Sequence, residues 1–263
     1  MTQEICIIGC GPAGLLAAHA AVRAGYTPVI ISAKAEPSPT AKAVFVHRAI
    51  PEMTSTEPDS YITMRKLGDG DGYAAKVYGD PEHPCSWDKF AVGGFPAWKL
   101  ETMYRRLWAS YRGAIREAVV TPTALGDIAR GYPYVINTAP ARDLCLRPED
   151  HTFPVRETLV TPHAPLPVVP NEMVYNGVPT VPWMRASDLF GVRSTEYPAS
   201  AADVVPGLAD RARPGIKVLP TTCNCHPQVV RAGRWGKWMP GVLLHHAFER
   251  VEAILGLDAE VER

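Results

Sequence analysis

Three histidines are the first residues whose type suits them to chemistry. His245 and His246 fall in the first turns of an expected C-terminal helix, on different faces, and His47 follows a short apolar segment. An imidazole titrates near neutral pH, so each of them could move a proton to or from a substrate. Each is also compatible with a packed or solvated side chain. We take all three as candidate catalytic residues.

Arg185 is the fourth candidate catalytic residue. It lies in a β-rich segment, 172–197, which alternates polar and apolar residues as an antiparallel meander does. A guanidinium binds carboxylate or phosphate groups well, although ordinary Arg–Glu surface pairs are the simpler interpretation. The same segment also contains Trp183, Arg193, Glu196 and Tyr197.

The six cysteines are not spaced like a disulfide framework, and we expect most of them to be reduced. Cys223, Cys225 and His226 lie close together like metal ligands. Zinc needs four good ligands, and the sequence shows no second pair nearby. We therefore predict that this segment does not bind a metal. It contains either a redox-active cysteine or a loop without a chemical role.

A glycine-rich turn at residues 9–14 has the spacing GxGxxG. It joins a buried strand at 3–8 to an alanine-rich helix at 15–24, and a second strand follows at 28–32. In such a βαβ unit the glycines allow a tight turn, backbone approach to a diphosphate, and close helix–strand packing. The helix N-terminus favours the negative charge. We predict that a dinucleotide contacts Gly9, Gly11, Pro12, Ala13 and Gly14.

The end of the second strand departs from the usual pattern. An acidic residue is expected there to hold ribose hydroxyls, but the position is occupied by Ser32, with Lys34 close by and Glu36 beyond. Ser32 can make one weaker ribose contact, whereas a basic residue suits a 2′-phosphate. We predict that Ser32 and Lys34 contact the cofactor, with NADP still open at this point.

A second glycine-rich segment, 233–241, precedes the terminal helix, which we predict over 242–255. Glycines let such a loop pass close to a ligand, and Pro240 can begin the helix. We therefore expect a discontinuous cofactor domain whose two sequence ends meet in space.

Composition limits the class of protein. The chain has 263 residues, of which 46% are hydrophobic and 21% charged, with no net charge. This does not favour a strongly basic nucleic-acid binder, although a local basic helix face leaves nucleic acid open as a partner. The apolar stretches are too short to cross a membrane, so we expect a cytoplasmic protein. The arginines of the basic face are Arg105, Arg106, Arg112 and Arg116.

The pattern of elements predicts an α/β fold: a Rossmann-like cofactor domain with a small β-rich insert. We assign 1–50, 114–150 and 215–263 to the cofactor domain, and 51–113 and 151–214 to the insert. Expected elements include short strands at 43–46, 73–79, 116–120, 133–137, 153–161, 215–219 and 229–232, and helices at 96–112 and 122–130.

The two glycine-rich segments resemble those of a flavoprotein superfamily. Residues 9–31 look like the FAD-binding start of flavin monooxygenases and amine oxidases, and 233–249 resembles the closing motif of amine oxidases and UDP-galactopyranose mutases. Residues 135–141 resemble the strand end that passes the cofactor. The resemblance implies FAD, with cofactor contacts from Arg48, Thr138, Ala139, Gly233, Arg234, Trp238, Gly241 and Val242.

A fainter resemblance is to phage FAD-dependent enzymes of thymidine hypermodification, carried by the 172–197 meander. It implies cleavage or oxidation of an amino-acid adduct on a modified thymine in DNA. We therefore predict an FAD-dependent oxidoreductase acting on a C–N bond of an amine or amino-acid-like group. Two alternatives remain: a monooxygenase-type enzyme or non-redox flavin mutase using an external reductant, and a non-catalytic nucleotide-binding module.

Overall fold

The computed structural model describes residues 2–37, 45–85, 87, 93–162 and 167–256. Its strands are β1 (Glu4–Ile8), β2 (Thr27–Ser32), β3 (Phe45–Val46), β4 (Ser60–Gly68), β5 (Gly93–Lys99), β6 (Ile115–Glu117), β7 (Val135–Asn137), β8 (Val155–Thr161), β9 (Glu172–Gly177), β10 (Arg185–Leu189), β11 (Val192–Pro198), β12 (Arg213–Val218) and β13 (Val229–Arg231). Its α-helices are α1 (Pro12–Arg23), α2 (Gly70–Tyr78), α3 (Leu100–Tyr111), α4 (Pro122–Gly131), α5 (Leu208–Arg211), α6 (Gly233–Lys237) and α7 (His245–Ile254).

A five-stranded parallel sheet carries the glycine-rich turn. Its strand order is β13-β7-β1-β2-β6. The central strand β1 is buried along most of its length, as expected for a parallel strand covered on both faces. Helix α1 packs against α3 and the terminal helix α7. The predicted Rossmann-like fold is therefore confirmed, and the two ends of the chain do meet.

The second sheet has eight strands in the order β12-β8-β11-β10-β9-β4-β5-β3. Strands β9, β10 and β11 form the predicted antiparallel meander, and β4 pairs with β9 in parallel. Its buried residues form two apolar clusters of their own, one of which contains Tyr73, Met184 and Leu189. Most of its strands come from the segments 51–113 and 151–214 that we assign to the insert.

Three elements lie on the other side of the expected domain boundaries. Strand β3 pairs with β5 at one edge of the eight-stranded sheet, although residues 1–50 were assigned to the cofactor domain. Strand β12 is the edge of the eight-stranded sheet, where it pairs with β8, although its residues from 215 onward were assigned to the cofactor domain. Helix α3 shares the apolar core of α1, although it falls within the segment assigned to the insert. In each case, contacts with residues far away in the sequence decide where the element lies, and the periodicity of the local sequence gives no information about these contacts.

The predicted strand at 73–79 is wrong, because these residues lie mostly in helix α2. The Asp69 carboxylate accepts a hydrogen bond from the Gly72 amide at 2.7 Å, which caps the helix, and Gly79 ends it with a φ of 77°. The helix expected over 96–112 begins only at Leu100, because residues 93–97 pair with β4 and residues 98–99 pair with β3.

Smaller differences concern termini and short elements. Strand β4 was not expected, and α7 begins at His245, three residues later than predicted. The helix over 122–130 is confirmed as α4. Of the strand expected at 43–46, the described part forms β3, and residues 43–44 lie outside the described ranges. No helix in the described ranges is both long and apolar enough to span a lipid bilayer.

Candidate active site

The turn between β1 and α1 requires glycine at two positions. Gly9 has a φ of +100°, and a side chain there would meet the Thr138 hydroxyl at 2.9 Å. A Cβ on Gly14 would lie 1.9 Å from the Gly9 carbonyl oxygen, so this glycine lets α1 approach the strand. A Cβ on Gly11 would meet no atom within 4 Å, because that position faces open space. Gly9 and Gly14 thus allow the tight turn and the close helix–strand packing, and Gly11 leaves open space beside the helix N-terminus.

The open space beside this turn is a cleft of about 610 Å³ at the carboxyl ends of the parallel strands. This is within the usual range for cofactor sites in proteins. The free amides at the N-terminus of α1 favour a diphosphate there. Ten predicted cofactor-binding residues line the cleft: Gly9, Gly11, Pro12, Ala13, Gly14, Ser32, Thr138, Ala139, Arg234 and Val242.

The three candidate histidines lie together next to one end of this cleft. The His47 and His245 ring centroids are 5.8 Å apart, and those of His245 and His246 are 4.4 Å apart. His245 follows directly after Leu244, which lines the cleft. The His246 Nδ1 accepts a hydrogen bond from the Leu243 amide at 3.1 Å, which orients its ring.

His245 is the most unusual of the three. It is buried, and its Nδ1 has no hydrogen-bond partner within the described ranges. Burial, with smaller contributions from His246, His47 and Arg48, lowers the pKa of His245 to about 4. Burial likewise lowers the pKa of His47. His245 is therefore neutral at physiological pH and can form a hydrogen bond with a bound molecule.

A charged cluster lies on the eight-stranded sheet. Arg185 on β10 and Lys217 on β12 both contact the Glu196 carboxylate on β11, at 3.1 and 3.0 Å. Arg185 and Glu196 are direct cross-strand neighbours. Burial opposes ionisation of Glu196, but the charges of Arg185, Lys217 and Arg234 outweigh it and lower the pKa of Glu196 to about 2.

Arg234 links the charged cluster to the cleft. It lies on α6 and lines the cleft, yet it interacts electrostatically with Arg185 and Glu196. Burial, followed by the Arg185 charge, lowers its pKa. Three cations therefore face one carboxylate, which leaves a site with excess positive charge between the cleft and the eight-stranded sheet. Such a site suits a carboxylate or phosphate.

Comparison with known proteins identifies the nucleotide. Residues 2–54 match the sequence model of an FAD binding domain, and this match includes the glycine-rich turn. The cofactor is FAD. The fit agrees with the geometry, because Gly11 leaves open the space that a diphosphate needs beside the α1 N-terminus. No curated protein matches the chain.

Solved structures with low sequence identity share the fold along nearly the whole chain. A reduced UDP-galactopyranose mutase has 13% identity and a TM-score of 0.58, over 98% of this chain and 97% of that one. The tryptophan 5-halogenase MibH has 13% identity and a TM-score of 0.58, over 97% and 66%. A 2-methyl-3-hydroxypyridine-5-carboxylic acid oxygenase has 12% identity and a TM-score of 0.52, over 95% and 80%.

The structure places two predicted contact residues outside the FAD cleft. The Arg48 side chain is 70% exposed and pairs with Glu249 at 2.9 Å. The Lys34 side chain is 79% exposed and lies 3.6 Å from Glu36. Both project into solvent, where an ion pair with a neighbouring side chain competes with any contact to the cofactor.

Three predicted residues of the closing motif have packing roles in place of cofactor contacts. Trp238 is fully buried, and its indole N–H donates to the Pro154 carbonyl at 3.2 Å. Gly233 has a φ of +70°, and a side chain there would meet the Ala13 Cβ at 2.8 Å. Gly241 has a φ of +74° and turns the chain towards α7. These residues position the cleft wall without lining it.

Several residues that line the cleft were not expected. Residues 118–120 follow β6, which neighbours β2, so the order of parallel strands could have indicated them. The remaining ones lie in β1, β2 and β3, at the start of α3, in α6 and in the loops between elements, and several of them are sequence neighbours of predicted residues. They are Ile8, Cys10, Ile31, Ala33, Phe45, Leu100, Pro140, Asp143, Leu144, Trp235, Leu243 and Leu244.

Proposed function

We propose that this chain is an FAD-dependent oxidoreductase that acts on a C–N bond of an amine or amino-acid-like substrate. The observation that carries the proposal is the excess positive charge of Arg185, Lys217 and Arg234 beside the FAD cleft. An amino acid has a carboxylate that such cations bind and an adjacent C–N bond. Bound FAD would supply the acceptor for a hydride from the carbon that bears the nitrogen.

The protein residues in this proposal orient the substrate. Arg185 and Arg234 hold the carboxylate, while Glu196 keeps the two strands that carry the cations in place. His245, neutral and without a partner for Nδ1 in the described structure, is the candidate to accept a hydrogen bond from the substrate amino group, which has already lost its ammonium proton to solvent. His47 and His246 position the His245 ring.

The direct test is anaerobic reduction of the bound flavin. Purified full-length protein with FAD is mixed with a panel of amines and amino acids, and absorbance of the oxidised flavin is followed. Bleaching by an amine or amino acid alone supports the proposal. Bleaching by NADPH but not by any amine contradicts it and favours the monooxygenase-type alternative. Stable FAD binding with no turnover of any kind would favour a binding module.

Arg185 provides a sharper version of this test. Losing one charge-assisted hydrogen bond costs about 1.5–3 kcal/mol, which is about a tenfold to hundredfold rise in KM. We expect this rise for Arg185→Gln with an amino acid, and little change with the matching amino-acid amide. Arg193→Gln is the matched control, because Arg193 pairs with Asp188 on the same sheet and its side chain is 64% exposed.

A second candidate function is a flavin-dependent mutase, and the same cluster supports it. Three cations beside a cofactor cleft would bind the diphosphate of a nucleotide sugar as well as they bind a carboxylate. The similar solved structure of a reduced UDP-galactopyranose mutase motivates this candidate. Isomerisation of a nucleotide sugar by chemically reduced protein, without net flavin turnover, would favour the mutase over the amine oxidoreductase.

We extend the first proposal to an amino-acid adduct on a modified thymine in DNA. The carboxylate of the adduct would bind the same cations, and the base would have to leave the duplex to reach the flavin. An oligonucleotide that carries the adduct is compared with the free amino acid. A higher kcat/KM for the oligonucleotide that falls steeply with salt supports the extension. Equal values for both substrates restrict the function to small molecules.

A further inference from the structure

In the fold, Cys223 and Cys225 lie close to two further possible metal ligands, Cys145 and His151. Cys223 and Cys225 lie in the irregular segment between β12 and β13, whereas Cys145 and His151 lie in the irregular segment before β8. The three sulfurs and the His151 Nδ1 all lie within 4.8 Å of one another. His226 is not part of this group, because its Nε2 contacts the Leu144 carbonyl oxygen at 3.2 Å.

The distances between these atoms match the edges of a tetrahedron around one metal ion. Cys145 Sγ lies 3.7 Å from the sulfurs of both Cys223 and Cys225. The His151 Nδ1 lies 3.2 Å from the Cys145 sulfur and 3.6 Å from that of Cys225. A tetrahedral zinc ion with ordinary bond lengths requires about 3.8 Å between two sulfurs and about 3.5 Å between sulfur and nitrogen.

A disulfide does not explain the cluster. The sulfur–sulfur distances of 3.7 Å are far longer than a disulfide bond, which is about 2.05 Å. All six cysteines are free thiols in the structure. Three sulfurs and one imidazole, converging from two chain segments, form the Cys₃His donor set of structural zinc sites.

Hydrogen-bond donors surround two of the sulfurs. The Leu146 amide and the Arg147 guanidinium donate to the Cys225 sulfur, and the Arg147 amide donates to the sulfur of Cys145. Three thiolates with one Zn²⁺ carry one net negative charge, which the Arg147 guanidinium balances.

We propose that Cys145, His151, Cys223 and Cys225 bind one structural zinc ion. Four protein ligands complete the tetrahedron and leave no open position, so the ion does not act as a catalyst. It ties the segment after Leu144, which lines the FAD cleft, to the segment that connects the two sheets. Zinc thereby fixes one wall of the cofactor site relative to the insert.

Metal content of the purified full chain is the first test. We expect about one zinc ion per chain by mass spectrometry of the metal. Substitutions Cys223→Ser and Cys225→Ser should each lower the zinc content at least tenfold. Cys85→Ser is the matched control and should retain the metal, because Cys85 lies in a different part of the fold, against the Gly70 carbonyl. Zinc retained by both cluster variants would overturn the proposal.

Two measurements on the unmodified protein avoid any question of whether variants fold. Titration with a mercurial reagent should release about one zinc ion as the thiols react, read with a zinc-binding dye. Replacement by Co²⁺ should produce the visible bands of tetrahedral cobalt and a sulfur-to-metal charge-transfer band in the near ultraviolet. Protein that binds no zinc after incubation with zinc salt, or cobalt bands without the charge-transfer band, would refute the site.

Discussion

Alanine substitutions at Gly14 and Gly11 should separate the two roles of glycine in the FAD turn. A Cβ on Gly14 would lie 1.9 Å from the Gly9 carbonyl oxygen, whereas real Cβ contacts essentially never fall below 3.0 Å. The α1 helix must therefore retreat from β1 by about 1 Å, in a closely packed core where such overpacking costs about 1–3 kcal/mol. Gly14→Ala should destabilise the protein even without its cofactor.

Gly11→Ala should weaken FAD binding and have little effect on the stability of the FAD-free protein. Gly11 has ordinary extended backbone geometry, with φ of −65° and ψ of 176°, and its Cβ would meet no protein atom within 4 Å. The cost to the protein is limited to a poorer N-cap, about 1 kcal/mol or less. The methyl group would instead occupy space beside the FAD diphosphate, and a loss of about 1.4 kcal/mol there weakens FAD binding about tenfold.

Thermal unfolding of the FAD-free protein and FAD titration together distinguish these effects. For a chain of this size each kcal/mol lowers the Tm by about 2–4 °C. We expect a Tm lower by about 2–12 °C for Gly14→Ala and by at most about 4 °C for Gly11→Ala. FAD affinity should fall in both variants. An unchanged Tm for Gly14→Ala, or unchanged FAD affinity for Gly11→Ala, would refute the assigned roles.

Three further substitutions test other parts of the site. The pKa of Glu196 is lowered to about 2 in the folded protein, so its ionised form stabilises the fold above the ordinary carboxyl range, and this stability is lost as the pH falls towards 2. Glu196→Gln should therefore weaken the decrease in Tm at acidic pH, and an unchanged decrease would contradict the pairing. Trp238→Phe removes a buried hydrogen bond and should lower the free energy of unfolding by about 1–3 kcal/mol in denaturant titrations, while a selective loss of FAD affinity would restore the predicted cofactor contact. Arg48→Ala breaks an exposed ion pair with Glu249 and should change stability by less than about 1 kcal/mol and leave FAD affinity intact; a clear loss of FAD affinity would show that Arg48 reaches the cofactor.

The parts of the site that could be predicted are those whose geometry depends on neighbours in sequence. Gly9, Gly11 and Gly14 form one turn between consecutive elements, so residue type and spacing determine their roles. Only part of the charged cluster could be predicted from the sequence. Arg185 and Glu196 face each other across a hairpin, whereas Lys217 reaches Glu196 from a strand that pairs on the far side of β8.

The cysteine cluster shows the same limit more sharply. Cys223 and Cys225 are separated by one residue in the sequence, but Cys145 lies 78 residues before Cys223. No local pattern connects them. They meet because β8 and β12 are antiparallel neighbours in the eight-stranded sheet, with Val155 opposite Val218, so the segment before β8 and the segment after β12 start at the same end of the sheet. Strand order shows that these segments meet. A residue pattern cannot show this when the topology of the sheet is unknown.

Helix α6 explains how so short a chain connects its cofactor to its insert. A Cβ on Gly236 would lie 2.2 Å from the Asn137 carbonyl oxygen, and one on Gly233 would lie 2.8 Å from the Ala13 Cβ. The helix is therefore held tightly between the end of β7 and the start of α1. Arg234 lies between these two contacts, where it lines the FAD cleft and interacts with the Arg185–Glu196 pair. The backbone contacts that shape the cofactor site thus also set the position of Arg234, the residue that joins the charged cluster to the cleft.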